Sequence, residues 1–276
     1  MTRKLTVLLV ALAAPLVVCG QEQPNLNRLQ QNQLGRGRAV AVNERPGIHE
    51  PFAPPMTAAK IRIAIDDAVF YLRGLQAVDG SIGDEGTTTL ATLTLLAAGA
   101  DPAADDGLKK ALDWLAKQKP NNTYIRGLRA NVWEYALRKV PDEDQFKKLL
   151  KEDYEWLLAA MGNREGWRYN MESRDWDNSC TQYGVLGVWA AARAGFDPGD
   201  KFWTTLSKHF RTCQNADGGW GYITDGSRAN MATAGLASLF LVFDMYHGKT
   251  PYSRANPRTF TDGDAAEVLK SIDRGG

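Results

Sequence analysis

The sequence predicts an all-α chain built as an array of helical hairpins in two layers. Three observations carry that prediction. The anchors Leu72, Leu115, Leu157 and Phe210 recur at steps of roughly 40 to 55 residues, the period of a helical repeat. Between them, apolar residues fall at three- and four-residue steps, as in Ile61, Ile65, Ala68, Val69, Leu72 and Leu75, with Arg62, Asp66, Asp67 and Arg73 on the other face. Within each pair the first helix is half charged and the second nearly all Ala, Leu, Gly and Val. A helix wetted on one side belongs outside, and one packed on both sides belongs inside.

The whole-chain quantities fit this reading. A length of 276 residues admits one large domain or two small ones. The chain carries 33 basic and 32 acidic residues, a net charge of +1, so electrostatics make no case for nucleic acid as a partner. Eight tryptophans suit repeats that each use one as a plug.

Residues 1–20 read as a signal peptide. Arg3 and Lys4 form its positive end, Leu5 to Val18 its apolar run, and Gly20 the small residue before cleavage at Gln21. The run is short for a membrane span, and no transmembrane helix is expected after cleavage. Export to the periplasm, cell surface or medium follows, with lipid attachment at Cys19 as the alternative. Residues 21–56 are polar, lack a period and close on Pro51-Phe52-Ala53-Pro54-Pro55, the composition of a disordered linker.

Residues 57–250 hold the hairpins. The first pair runs from Met56 to Leu75 and from Thr87 to Ala98, ending where Gly99 can cap and Pro102 cannot continue. The second pair is Leu108 to Gln118, a turn at Pro120-Asn121-Asn122, then Leu128 to Val140, a helix unusually charged for an inner place. The third is Gln145 to Met161, the plug Gly166-Trp167, then Asn178 to Phe196. The fourth is Lys201 to Gln214, a glycine turn, then Asn230 to Tyr246. Residues 251–276 form a loop and, from Gly263 to Arg274, the start of a further charged helix.

The fourth pair carries the clearest local signature, Phe210-Arg211-Thr212-Cys213-Gln214-Asn215-Ala216-Asp217-Gly218-Gly219-Trp220. Gln214 ends the helix, Asp217-Gly218-Gly219 supplies the positive φ of a sharp reversal, and Trp220 plugs it. Gln76 and Gly80 repeat the spacing in the first pair, with Ile82 in the tryptophan's place. In the third, Met161 stands where the glutamine should be. Phe210, Gln214, Gly218 and Trp220 resemble the QW motif of the squalene cyclase and protein prenyltransferase superfamily. The resemblance covers residues 57 to 250 and implies the α/α toroid of that superfamily, two concentric rings of helices. Four hairpins and the start of a fifth, where a closed ring has about six, imply an open arc or a fragment of a longer chain.

The resemblance also implies where chemistry would sit. The family's cyclases open an inner helix with Asp-x-Asp-Asp, whose middle aspartate protonates an alkene or epoxide. Asp175-Trp176-Asp177-Asn178 is similar and would make Asp177 the proton donor and Asp175 its partner. Capping of the helix by Asp177 or Asn178 is the competing reading. The family's prenyltransferases hold zinc through Asp, Cys and His. Asp177 and Cys180 match the first two types, but no histidine stands at a neighbouring inner-helix start, so no metal and no cofactor is expected. Trp176, Tyr183 and Trp189 could face a ligand, with cation–π attraction as their contribution, or could be core. Cys180 and Cys213 would meet near one end of adjacent hairpins, either as a disulfide or as two buried thiols.

Three function classes remain. One is an exported, non-catalytic repeat domain binding a protein, glycan or lipid in its concave face. The second is a terpenoid cyclase-like or prenyltransferase-like enzyme, and the third a polysaccharide-active α/α toroid enzyme. The incomplete acid motif, the missing zinc histidine and the signal peptide favour the first.

Overall fold

The computed structural model of the protein describes residues 57–247. The signal peptide, the whole linker over 21–56 and everything from residue 248 lie outside the described residues. Eight helices and no strand occur among them: α1 Ala58–Gly74, α2 Glu85–Ala97, α3 Asp106–Lys117, α4 Thr123–Leu137, α5 Asp144–Met161, α6 Asn178–Arg193, α7 Asp200–Thr212 and α8 Ala229–His247. The chain is all-α.

Short polar side chains start five of these helices. Thr57, Asp84, Asp105, Asn122 and Asp177 each accept a backbone N–H of the first turn, which would otherwise have no partner. One start differs from the sequence expectation by more than two residues. α4 begins at Thr123, five residues before the expected Leu128, because the Asn122 side chain accepts from the Tyr124 and Ile125 N–H groups and turns the supposed loop into a cap.

The packing separates two layers. α2, α4, α6 and α8 touch one another in that order and form the inner row. α3 lies against α2, α5 against α4 and α6, and α7 against α8. Burial follows the same division. α4 and α6 are enclosed almost all round, whereas α3 buries only Leu108, Ala111, Leu112 and Leu115. Two glycines permit the closest approaches in the inner row. A Cβ on Gly127 would sit 2.2 Å from the Tyr183 carbonyl oxygen, and one on Gly184 would sit 2.3 Å from the Trp167 ring.

The ends of the row are less covered. α1 has no buried residue, and only Val69 and Leu72 of its apolar stripe pack against the core. It is the first described helix and packs mainly on α2, with Arg73 reaching Asp105 at the start of α3. By length and composition alone, α8 from Ala229 to Tyr246 could cross a membrane, but 39% of that stretch is buried inside the array.

Candidate functional site

The N-termini of the inner helices α4 and α6 carry the polar residues singled out from the sequence. The segment between α5 and α6 folds back over them. Its Trp167 carbonyl accepts from the Asp177 N–H at 2.9 Å, and its Trp167 N–H donates to Thr181 Oγ1 at 3.1 Å. These two bonds fix Asp177 in extended backbone as the N-cap of α6.

Both carboxylate oxygens of Asp177 are engaged. Oδ1 accepts from the Ser179 N–H at 2.7 Å, the Cys180 N–H at 3.0 Å and the Ser179 hydroxyl. Oδ2 accepts from Arg168 Nη1 at 2.9 Å. Tyr124 extends the chain by donating from its hydroxyl to Ser179 Oγ at 2.6 Å. Its ring lies 4.5 Å from that of Tyr183 and 6.0 Å from that of Tyr169. Arg168 in turn lies 5.0 Å over the Tyr169 ring. Asp175 stands apart, its side chain 69% exposed and 3.7 Å from Arg168 Nε. Burial pushes the Cys180 thiol and the Tyr124 and Tyr183 hydroxyls upward, and the Asp177 charge adds to this at Cys180 and Tyr124, so all three stay protonated.

A second polar group lies on the α7 side. Asn178 donates from Nδ2 to the Gly221 carbonyl at 3.0 Å, and its N–H donates to the Tyr222 carbonyl at 2.7 Å. Its Oδ1 lies 3.1 Å from His209 Nε2, which therefore carries the ring proton. Burial pushes His209 down to about 4, so the ring is neutral near pH 7. Trp176 covers it edge-on at 4.6 Å. Cys213 Sγ sits 3.6 Å from Asn178, and Cys180 and Cys213 are both free thiols.

The ligand-facing candidates do not share one surface. Trp176 is half-buried beside His209, while Tyr183 and Trp189 are 1% and 2% exposed. Trp189 is remote from the Asp177 cap, near the far end of α6, where the Arg193 guanidinium lies 3.8 Å over its ring.

The repeat motif closes its turns through side chain to backbone bonds. Gln76 donates to the Gly80 carbonyl at 2.9 Å and to the Gly107 carbonyl at 2.8 Å, and Gln214 donates to the Gly218 carbonyl at 2.8 Å. Gly80 and Gly218 both take positive φ. The Trp220 indole N–H donates to the Phe210 carbonyl at 2.8 Å, and Trp167 does the same to Leu157 at 2.7 Å.

One cluster went unread in the sequence. Asp153 of α5, fully buried, accepts from Arg126 Nη1 at 2.6 Å, Arg129 Nη2 at 2.7 Å, Arg129 Nε at 2.9 Å and the Trp133 indole at 2.9 Å. The signal was present. Arg126, Arg129 and Trp133 share one face of an inner helix that reads as too charged for its place. Among the described residues no group of three His, Cys, Asp or Glu side chains could hold a metal ion.

No protein-family model matches the chain, and no curated protein matches it.

Proposed function

We propose that the protein is an exported helical repeat domain, a squalene cyclase/prenyltransferase-like α/α toroid arc, that binds a partner without transforming it. The observation that carries this reading is the state of Asp177. A proton donor needs a free carboxyl proton aimed at substrate in a dry cavity. Asp177 instead spends one oxygen on the helix cap and the other on Arg168. Asp175, its partner in the acid reading, is open to solvent. The partner surface in this reading runs along the inner row and over the half-buried Tyr124, Tyr169 and Trp176 at its N-terminal end.

Incubation with squalene and with prenyl diphosphates tests the reading. Purified protein is expected to return each substrate unchanged. Turnover that vanishes in Asp177→Asn would establish the terpenoid cyclase-like or prenyltransferase-like alternative instead.

A further inference from the structure

Buried polar groups almost always find a hydrogen-bond partner, and each exception asks for a physical reason. Among the described residues, eight buried side-chain atoms have no partner. Six of them belong to α4 and α6: Asn131 Oδ1, the Tyr135 hydroxyl, both amide atoms of Gln182, Trp189 Nε1 and Arg193 Nε. Gln182, Trp189 and Arg193 follow one another at steps of seven and four, and Asn131 and Tyr135 at a step of four, so each set lies on one face of its helix. The two faces meet along one seam. Asn131 Nδ2 donates to the Leu186 carbonyl at 3.3 Å, and Arg193 Nη2 donates to Glu134 Oε2.

At the C-terminal end of this seam the unpartnered atoms are donors. Arg138 donates to Glu134 from Nε and from Nη2, each at 2.8 Å, and Arg193 shares the same carboxylate. Two guanidinium groups on one carboxylate leave a surplus of one positive charge. Arg193 lies 3.8 Å over the Trp189 ring and Arg138 lies 4.1 Å over the Tyr135 ring. Burial lowers the Arg193 pKa from its ordinary value; Glu134 offsets part of this and Arg138 adds to it. Arginines in the last turn complement the helix ends, which accounts for the two guanidiniums. It does not account for an indole N–H and a phenol O–H left unpartnered beside them. The Arg138 and Arg193 side chains are 33% and 21% exposed, so this end of the seam meets solvent at the two guanidiniums.

We propose that this cluster is an oxyanion site, which takes a phosphate or carboxylate group between Arg138 and Arg193 and donates to it from Arg193 Nε, Trp189 Nε1 and the Tyr135 hydroxyl. Phosphate and carboxylate oxygens offer several acceptor lone pairs, the complement of three donors around surplus positive charge. Glu134 does not compete for these donors, because both its oxygens already accept from guanidinium N–H groups. The site lies at the opposite end of α4 and α6 from Asp177 and does not rest on the functional reading above.

Titration of the full chain with inorganic phosphate and, separately, with succinate tests it. Calorimetry at constant ionic strength is expected to show one saturable site, and the tighter of the two probes assigns the group as phosphate or carboxylate. Trp189→Phe keeps an aromatic ring under Arg193 and removes only the N–H, so affinity should fall about threefold or more. Arg193→Met removes the charged donor and leaves Glu134 paired with Arg138, so affinity should fall about tenfold or more. Circular dichroism checks that each variant is folded, and the milder Trp189→Phe decides the matter if Arg193→Met is not. The absence of a saturable site for both probes overturns the proposal. So does binding that the folded variants leave unchanged, or binding that sodium chloride at the same ionic strength displaces as well as the probes do.

Discussion

Asp153→Asn is the most informative single change in this protein. Asp153 is the one acidic partner bonded to two buried guanidinium groups. Arg126 and Arg129 also spend donors on carbonyl groups, Arg126 on Pro120 at 2.7 Å and Arg129 on Leu115 at 3.1 Å and Gln118 at 2.9 Å. The cluster thus ties the C-terminal end of α3 to α4 and α5. Asparagine keeps the shape of the side chain but removes the charge and replaces one acceptor oxygen with a donor. Two buried cations then face each other without a bonded carboxylate, with Glu85 the nearby acid that acts on both. Breaking a buried pair from one side costs about 3–5 kcal/mol. At about 2–4 °C per kcal/mol for a domain of this size, Tm should fall by about 6–20 °C. Circular dichroism melts and urea titrations of parent and variant measure this directly. A Tm within about 2 °C of the parent would refute the assignment of these charges as a buried staple, since that size of shift belongs to surface substitutions. A triple replacement, Arg126→Met with Arg129→Met and Asp153→Leu, separates lost charge from lost shape. It should recover only part of the stability, because the apolar set carries no charge to desolvate but leaves the Trp133 indole N–H and the Pro120, Leu115 and Gln118 carbonyls without these partners.

Trp220→Ala removes a buried indole that plugs the turn after α7 and donates to the Phe210 carbonyl; a loss of about 3–5 kcal/mol is expected from chemical denaturation. His209 gives the protein an acid limit. Its folded pKa of about 4 lies below the ordinary 6.5, so the unfolded chain binds the proton more readily. The stability associated with neutral His209 is complete above pH 6.5 and is lost as pH falls to about 4, amounting to about 3 kcal/mol. Melts of the parent between pH 7 and 4 should show this slope, and His209→Gln should flatten it. Thiol titration of the denatured, unreduced protein should find both Cys180 and Cys213 free, and a missing pair would contradict their arrangement here.

The helices were legible in the sequence because their signals are local. Helical spacing, glycine turns and capping residues act over a few positions, and the contrast between charged and apolar helices reports burial directly. Asn122 shows where such reading stops. An asparagine after Pro120 is good turn chemistry and equally good cap chemistry, and only the position of the Tyr124 and Ile125 N–H groups decides between them. The stripe of α1 shows a second limit. Ile61 and Ile65 have the period of a core face, yet both are exposed, because period reports which residues share a face and not whether a neighbour covers it.

The candidate site was harder to read for a related reason. Asp175-Trp176-Asp177 looks the same in sequence whether Asp177 is an acid or a cap, since both roles place a carboxylate at a helix start. The distinction comes from residues elsewhere in the chain. Arg168 arrives from the segment after α5, and Tyr124 reaches Ser179 from α4. Asp153 shows the same dependence in the opposite direction. Read alone, it is an unremarkable acid on a charged outer helix, and Arg126 and Arg129 are misplaced charges on an inner one. Their meaning lies in the pairing of α4 with α5. A sequence search for such sites should therefore look for charges that violate the burial expected of their helix, then for an opposite charge on the facing stripe of the next helix. In this chain, that test brings Arg129 and Asp153 together before any coordinate is known, and Arg126 joins them once Asn122 is seen to start the helix at Thr123.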